Sequence, residues 1–246
     1  MSVDTPEELF GLRAAGQVVA QTIRAMRRAV RPGITTAELD AIARREFDRA
    51  GARSGPQLDY GFPGTTCISV NDEAVHGIPG RRRLKAGDLV KLDVTAELDG
   101  FYADACRTVV VGRGRPQAIN LVRTAEQALA EALKVVRAGV PLNTIGATVQ
   151  RCVQARGHSV CDELMGHGIG RRIHEAPDVP NVFEPQLSQP LPDGLVITIE
   201  PLVAIGGPAV RMGRDGWTVR TADRSLSAHA EHTIVVRAGA PLVLTA

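Results

Sequence analysis

The sequence predicts an α+β fold in which two pseudo-symmetric helix–helix–strand–strand halves pack around a central antiparallel sheet. Three observations predict it. Helix-start and helix-stop signals occur twice in the same order, and Arg31-Pro32-Gly33-Ile34 lies 106 residues before Arg137-Ala138-Gly139-Val140. Gly51 and Gly157 repeat that spacing. The alternating runs Gly87–Asp93 and Gly194–Glu200 each set a glycine six residues before an acid, at an offset of 107. Two copies make a duplication rather than a solenoid, which needs more repeats. The 246 residues are expected to form one domain, 1–246, with pseudo-repeat halves at about 5–112 and 116–240.

The elements follow in order. Thr5-Pro6-Glu7-Glu8 reads as a capping box with Pro at the first helical position. Leu12, Ala15, Val19, Ile23, Met26 and Val30 continue it at helical spacing until Arg31-Pro32-Gly33 stops the helix. A second box, Thr35-Thr36-Ala37-Glu38, starts a helix through Leu39, Ile42, Ala43 and Phe47 that ends near Gly51. Leu89–Thr95 reads as a strand, Asp99-Gly100 as a two-residue hairpin turn, and Phe101–Val111 as the returning strand. Further helices are expected from about Pro116 to Ala138 and from about Leu142 to Ala155. Glu231–Val236 resembles Asp104–Val110 in pattern.

Composition narrows the function. A formal charge of +2, from 27 acids and 29 strong bases, argues against a strongly basic nucleic-acid binder. Eight aromatics in the whole chain argue against base-stacking surfaces. The first residues lack a basic segment followed by an apolar run, and no stretch has the roughly 18 apolar residues a membrane span needs. Cys67, Cys106, Cys152 and Cys161 form no C-x-x-C pair, which disfavours a thiolate zinc site and suits free thiols in the cytoplasm.

The acids carry the chemistry. With Asp99 and Gly100 as the loop, Asp93 faces Cys106, and Asp104 is its diagonal neighbour on the same face, about 7–8 Å away. Two carboxylates so placed repel unless a cation or proton lies between them. Taken alone, both could be solvated strand acids. The duplication, however, puts Glu200 at the place of Asp93 and Glu231 at the place of Asp104. His167, in Gly166-His167-Gly168-Ile169-Gly170, is expected to be presented by glycines that free the backbone. One imidazole with four carboxylates suits Mn, Fe, Co or Zn in a two-metal arrangement.

Thr66–Pro79, Gly166–Pro177, Thr198-Ile199-Glu200-Pro201 and Asp215-Gly216-Trp217-Thr218 resemble the motifs of type I methionine aminopeptidases, in the family's order and over nearly the whole chain. That resemblance implies the pita-bread fold and a dinuclear centre of two divalent ions held by Asp93, Asp104, His167, Glu200 and Glu231. Asp104 and Glu231 match the family's bridging ligands, Asp93 the ligand of one ion, and His167 with Glu200 those of the other. His76 and His174 resemble its two non-ligand histidines, and Glu200 is expected to take the proton of a metal-bridged water, giving the attacking hydroxide, and to help return it to the leaving amine. Phe62, Cys67 and Trp217 match positions of the pocket for the methionine side chain, although core packing is the bland reading of all three. Asp59, with Tyr60 beside it, and Ile173 depart from the family's aromatics.

The resemblance implies a cytoplasmic monomer that removes N-terminal methionine from nascent polypeptides whose second residue is small, without membrane or specific DNA partners. Transient ribosome contact through Arg81-Arg82-Arg83 or Arg171-Arg172 stands against the ordinary reading of such runs as solvated loops. His158, His229 and His232 match no ligand position and are expected to be structural or exposed. The rival readings are an aminopeptidase acting before proline, a binding module that lost catalysis and, more weakly, a two-metal phosphoesterase.

Overall fold

A computed structural model describes all 246 residues. Helix α1 (Pro6–Ala29) is capped by the Thr5 hydroxyl, which accepts from the Glu8 N–H at 3.2 Å. Helix α2 (Thr36–Ala50) carries the full reciprocal capping box of Thr35 and Glu38 and ends at Gly51 with φ of 70°. A six-residue helix α3 (Gly55–Tyr60), too short to show periodicity, follows. Helices α4 (Pro116–Val135) and α5 (Asn143–Gln154) repeat the first pair. Helix α4 stops three residues before the expected Ala138 because Val136 turns to extended backbone.

Strand Leu89–Leu98 is the spine of the first sheet. Phe101–Val110 pairs along one side, and Cys67–Val70 and Arg53–Ser54 share the other, all antiparallel. Asp99 and Gly100 both take positive φ, 50° and 83°, as a two-residue turn requires. The hairpin register is therefore Asp93 opposite Cys106 and Thr95 opposite Asp104, and on the far side Cys67 lies opposite Asp93. The second sheet runs in the order Leu242–Val243, His232–Val235, Val196–Ile199, Met165–Gly168, Glu175–Pro180. In it His232 faces Ile199, and the same register continued by one residue sets Glu231 opposite Glu200.

The core follows the duplication. One buried apolar cluster of 19 residues is drawn wholly from 15–111, with the Ala15, Val19, Ile23 and Met26 stripe of α1 laid on the first sheet. A second, of 25, comes from 118–236 apart from Leu89, with Leu121, Ala125, Ala128 and Ala132 of α4, a helix that packs chiefly on strands Ser227–His229 and Leu202–Ala204. The seam between sheets uses threonine hydroxyls as ladder rungs. The Asp104 N–H donates to Thr233 Oγ at 2.8 Å and that hydroxyl donates to the Asp104 carbonyl at 2.7 Å. Thr108 holds His229 in the same way at 2.8 Å in both directions, and the Glu231 N–H donates to the Cys106 carbonyl at 3.0 Å. The acids of both halves meet at this seam.

Candidate active site

The ten residues singled out in the sequence line one cavity of about 300 Å³. Asp93, Asp104, His167, Glu200 and Glu231 lie with Phe62, Cys67, His76, His174 and Trp217 around it. The metal-ligating atoms of Asp104, His167 and Glu231 are within 4.8 Å of one another. Asp93 lines the cavity with Asp104, whose charge helps raise its pKa, and Glu200 Oε1 is 3.6 Å from His167 Nε2.

His167 is presented by space rather than by freedom of rotation, because neither flanking glycine has positive φ. A Cβ on Gly166 would come within 2.6 Å of the Thr198 carbonyl oxygen, and one on Gly168 within 2.2 Å of the Ala176 oxygen. The imidazole Nδ1–H donates to the Gly168 carbonyl at 2.9 Å, which leaves the Nε2 lone pair facing the acids. Burial holds its pKa down at about 3, so the ring brings a ligand and no charge.

Asp104, Glu200 and Glu231 are buried and Asp93 is half-buried, and the four lack compensating side-chain cations. Burial pushes Asp104 up to about 6, and Asp93, Glu200 and Glu231 are raised well above the carboxylate range by burial and then by one another. Lys91, the nearby ammonium, donates instead to the Asn71 carbonyl and to Ser227. Arg107 donates to the Cys106 and Glu231 carbonyls and contacts the His232 ring. Asp104 Oδ1 is buried without a partner. Three buried acids, a fourth half-buried, a neutral imidazole and an orphaned oxygen suit oxygen-loving divalent cations, and the residues present fit such ions.

Several site residues escaped the sequence reading. Thr95 donates to Asp104 Oδ2 and Thr198 to Glu200 Oε1, both at 2.8 Å. Each threonine stands two residues from an acid on the same strand face, Thr95 after Asp93 and Thr198 before Glu200, which is the signal that could have found them. Asn181, 1% exposed, donates to the Glu200 carbonyl at 3.0 Å. His229, for which the sequence leaves a structural or an exposed place, is buried at 2% exposure and lines the cavity. His158 and His232 sit elsewhere, within hydrogen-bond reach of Thr124 and Thr245.

The departure at Asp59 has a structural explanation. Asp59 accepts from the Tyr102 hydroxyl at 2.9 Å and from the Ile173 N–H at 3.1 Å, tying α3 to the 171–174 loop. Tyr60 lines the cavity instead, its hydroxyl 2.6 Å from His174 Nδ1. Phe62 and Trp217 meet edge to face at 5.2 Å, with Cys67, Ile173 and Leu202 completing an apolar wall. His76 and His174 are exposed side chains of the lining. His174 packs against His167 with ring centres 4.1 Å apart.

The chain belongs to metallopeptidase family M24, whose model matches residues 11–238. Within that class, it is 41% identical to Methionine aminopeptidase 2 of Bacillus subtilis (strain 168), over 100% of this chain and 99% of that protein. It is 40% identical to the methionine aminopeptidase of Escherichia coli (strain K12), over 100% and 94%. The crystal structure of the methionine aminopeptidase from Rickettsia prowazekii superposes with a TM-score of 0.96 at 34% identity, covering all of both chains. A prolidase from Pyrococcus furiosus shares the fold at a TM-score of 0.79 and 21% identity, covering 99% of this chain and 65% of that one. The architecture is the pita-bread fold. No helix is long and apolar enough to cross a membrane.

Proposed function

We propose that the chain is a metal-dependent aminopeptidase that hydrolytically removes N-terminal methionine from nascent proteins whose second residue is small. The observation that carries this reading is the convergence of four carboxylates, three histidines and an apolar wall on one cavity, His229 aside. Full-length identity of about 40% to proteins named for that activity supports it. Asp93, Asp104, His167, Glu200 and Glu231 would hold two divalent ions, of Co, Mn, Fe or Zn. Such ions supply Lewis acidity, polarising a carbonyl and making water acidic.

The remaining work falls to the chain. Glu200, its pKa raised by burial, takes the proton of the attacking water and returns it to the leaving amine, with Thr198 fixing Oε1. His174 donates to the oxyanion through Nε2–H. The Tyr60 phenol donates to Nδ1 and so fixes that tautomer. His76 holds the peptide nitrogen beyond the scissile bond from a left-handed backbone, φ 56°. Phe62, Cys67 and Trp217 receive the thioether, for which soft apolar partners are suited.

The enzyme would act as a monomer. The enzyme would work in the cytoplasm, where its four free cysteines stay reduced. Transient ribosome contact would fall to Arg81 and Arg172. Arg82 is paired with Glu73 at 2.9 Å, Arg83 donates to the Gly33 carbonyl, and Arg171 stacks over Phe101.

Incubation of the metal-loaded protein with Met-Ala-Ser and Ala-Pro-Ala tests the reading. Free methionine should appear from the first peptide and the second should survive. Cleavage of Ala-Pro-Ala alone would overturn the assignment in favour of an aminopeptidase acting before proline. Cleavage of neither, under all four metals, would favour the binding module.

A further inference from the structure

We propose that His229 is a positioning residue for Glu200: its Nε2–H holds the Glu200 oxygen turned away from His167 and so sets how tightly the site retains its cation. The inference rests on the reading of Glu200 and Glu231 as metal ligands. It concerns a side chain that no sequence motif singled out.

The backbone of His229 is clamped on both sides. Its residue pairs with Leu202 in the sheet, and the Thr108 hydroxyl bonds both its N–H and its carbonyl. The ring is thereby fixed against the cavity at 2% exposure, with no partner at Nδ1 or at Nε2. A buried imidazole left unpaired is expensive, and such groups in native proteins call for an explanation.

The surroundings of Nε2 supply one. It lies 3.7 Å from Glu200 Oε2 and 3.6 Å from Glu231 Oε2. The two oxygens of Glu200 are thus divided. Oε1 accepts from Thr198 at 2.8 Å and faces His167, while Oε2 faces His229. Ionised carboxylates accept hydrogen bonds and donate none, so the proton belongs on Nε2. The separations exceed an N–H···O bond by about half an ångström, a gap that a small torsion of the Glu200 side chain closes. His229 would then do for Oε2 what Thr198 does for Oε1. Groups that orient a metal ligand in this way govern metal affinity without touching the ion.

The test titrates Mn²⁺ into chelated wild type, His229→Leu and His229→Gln by calorimetry, and records the visible spectrum of each Co²⁺-loaded form. Thermal melts in chelator confirm that each variant folds. Leucine fills the space without a donor, whereas glutamine restores a neutral N–H. His229→Leu should weaken Mn²⁺ binding by about 10–100-fold, and His229→Gln should recover most of that loss with a wild-type Co²⁺ spectrum. Wild-type affinity in His229→Leu would overturn the proposal and leave His229 as packing. Equal loss in both variants, with an altered Co²⁺ spectrum in each, would overturn it in favour of direct coordination by the ring. If wild type itself binds no cation, the underlying reading of the carboxylates fails, and the proposal with it.

Discussion

Replacing His76 with alanine is expected to lower kcat for Met-Ala-Ser by about 10²–10³-fold, the usual effect of removing one positioned donor, while metal content stays at the wild-type level. The reason is geometric. His76 lines the cavity beside the acids, yet its side chain bonds none of them. Its backbone is fixed at φ 56°, with the Thr218 hydroxyl on its carbonyl at 3.5 Å and the Gly77 N–H on Ser69 Oγ at 2.9 Å. Metal analysis beside steady-state kinetics separates the roles. Lost metal with unchanged turnover per occupied site would make His76 a structural support of the centre.

Asp104→Asn should have the opposite split, with cleavage reduced by about 10³-fold or more, metal binding lost, and the chelated protein more stable than wild type at neutral pH. Asp104 is buried, stands diagonal to Asp93 across the hairpin, and accepts from Thr95. An asparagine keeps the Thr95 bond and offers its amide to Asp93, replacing a like-charge contact with a donor. The pH dependence fixes the sign. The folded pKa of Asp104 is about 6, against 3.8 for the free side chain. Between those values the folded state holds more protons than the unfolded state, so stability falls as pH rises through that window. Asp93, Glu200 and Glu231, raised further, continue the loss at higher pH. In chelator, the melting temperature of Asp104→Asn minus that of wild type should therefore grow between about pH 4 and pH 7. A difference that shrinks over that range would contradict the account.

Local chemistry explains what could be read from the sequence. Asp99-Gly100 could form only one tight turn, and that turn fixed the register that sets Asp93 diagonal to Asp104. The duplication located Glu200 and Glu231 because a repeated strand carries its acid to an equivalent place, and the observed sheet sets the two side by side. Capping residues marked α1 and α2 because their hydroxyls meet N–H groups within the same few residues. What stayed hidden depends on contacts distant in sequence. Tyr60 meets His174 across 114 residues, and Asp59 ties α3 to Ile173 over the same span. Asn181 reaches Glu200 from a loop with no pattern of its own. His229 was half visible, since alternation from Glu231 puts it on the same face, but only the folded seam with Thr108 shows it buried. The glycines around His167 were read correctly as necessary and for the wrong reason. Close backbone approach requires Gly166 and Gly168, and only Gly170 takes a positive φ, 149°.

The central claim is that Asp93, Asp104, Glu200, Glu231 and His167 hold catalytic cations. Equilibrium dialysis of chelated protein against rising Mn²⁺, with ion content and Met-Ala-Ser cleavage measured on the same samples, tests it most directly. Cleavage should be absent in chelator and should rise with bound metal, up to two ions per chain. Full cleavage by protein that holds no ion would contradict the account.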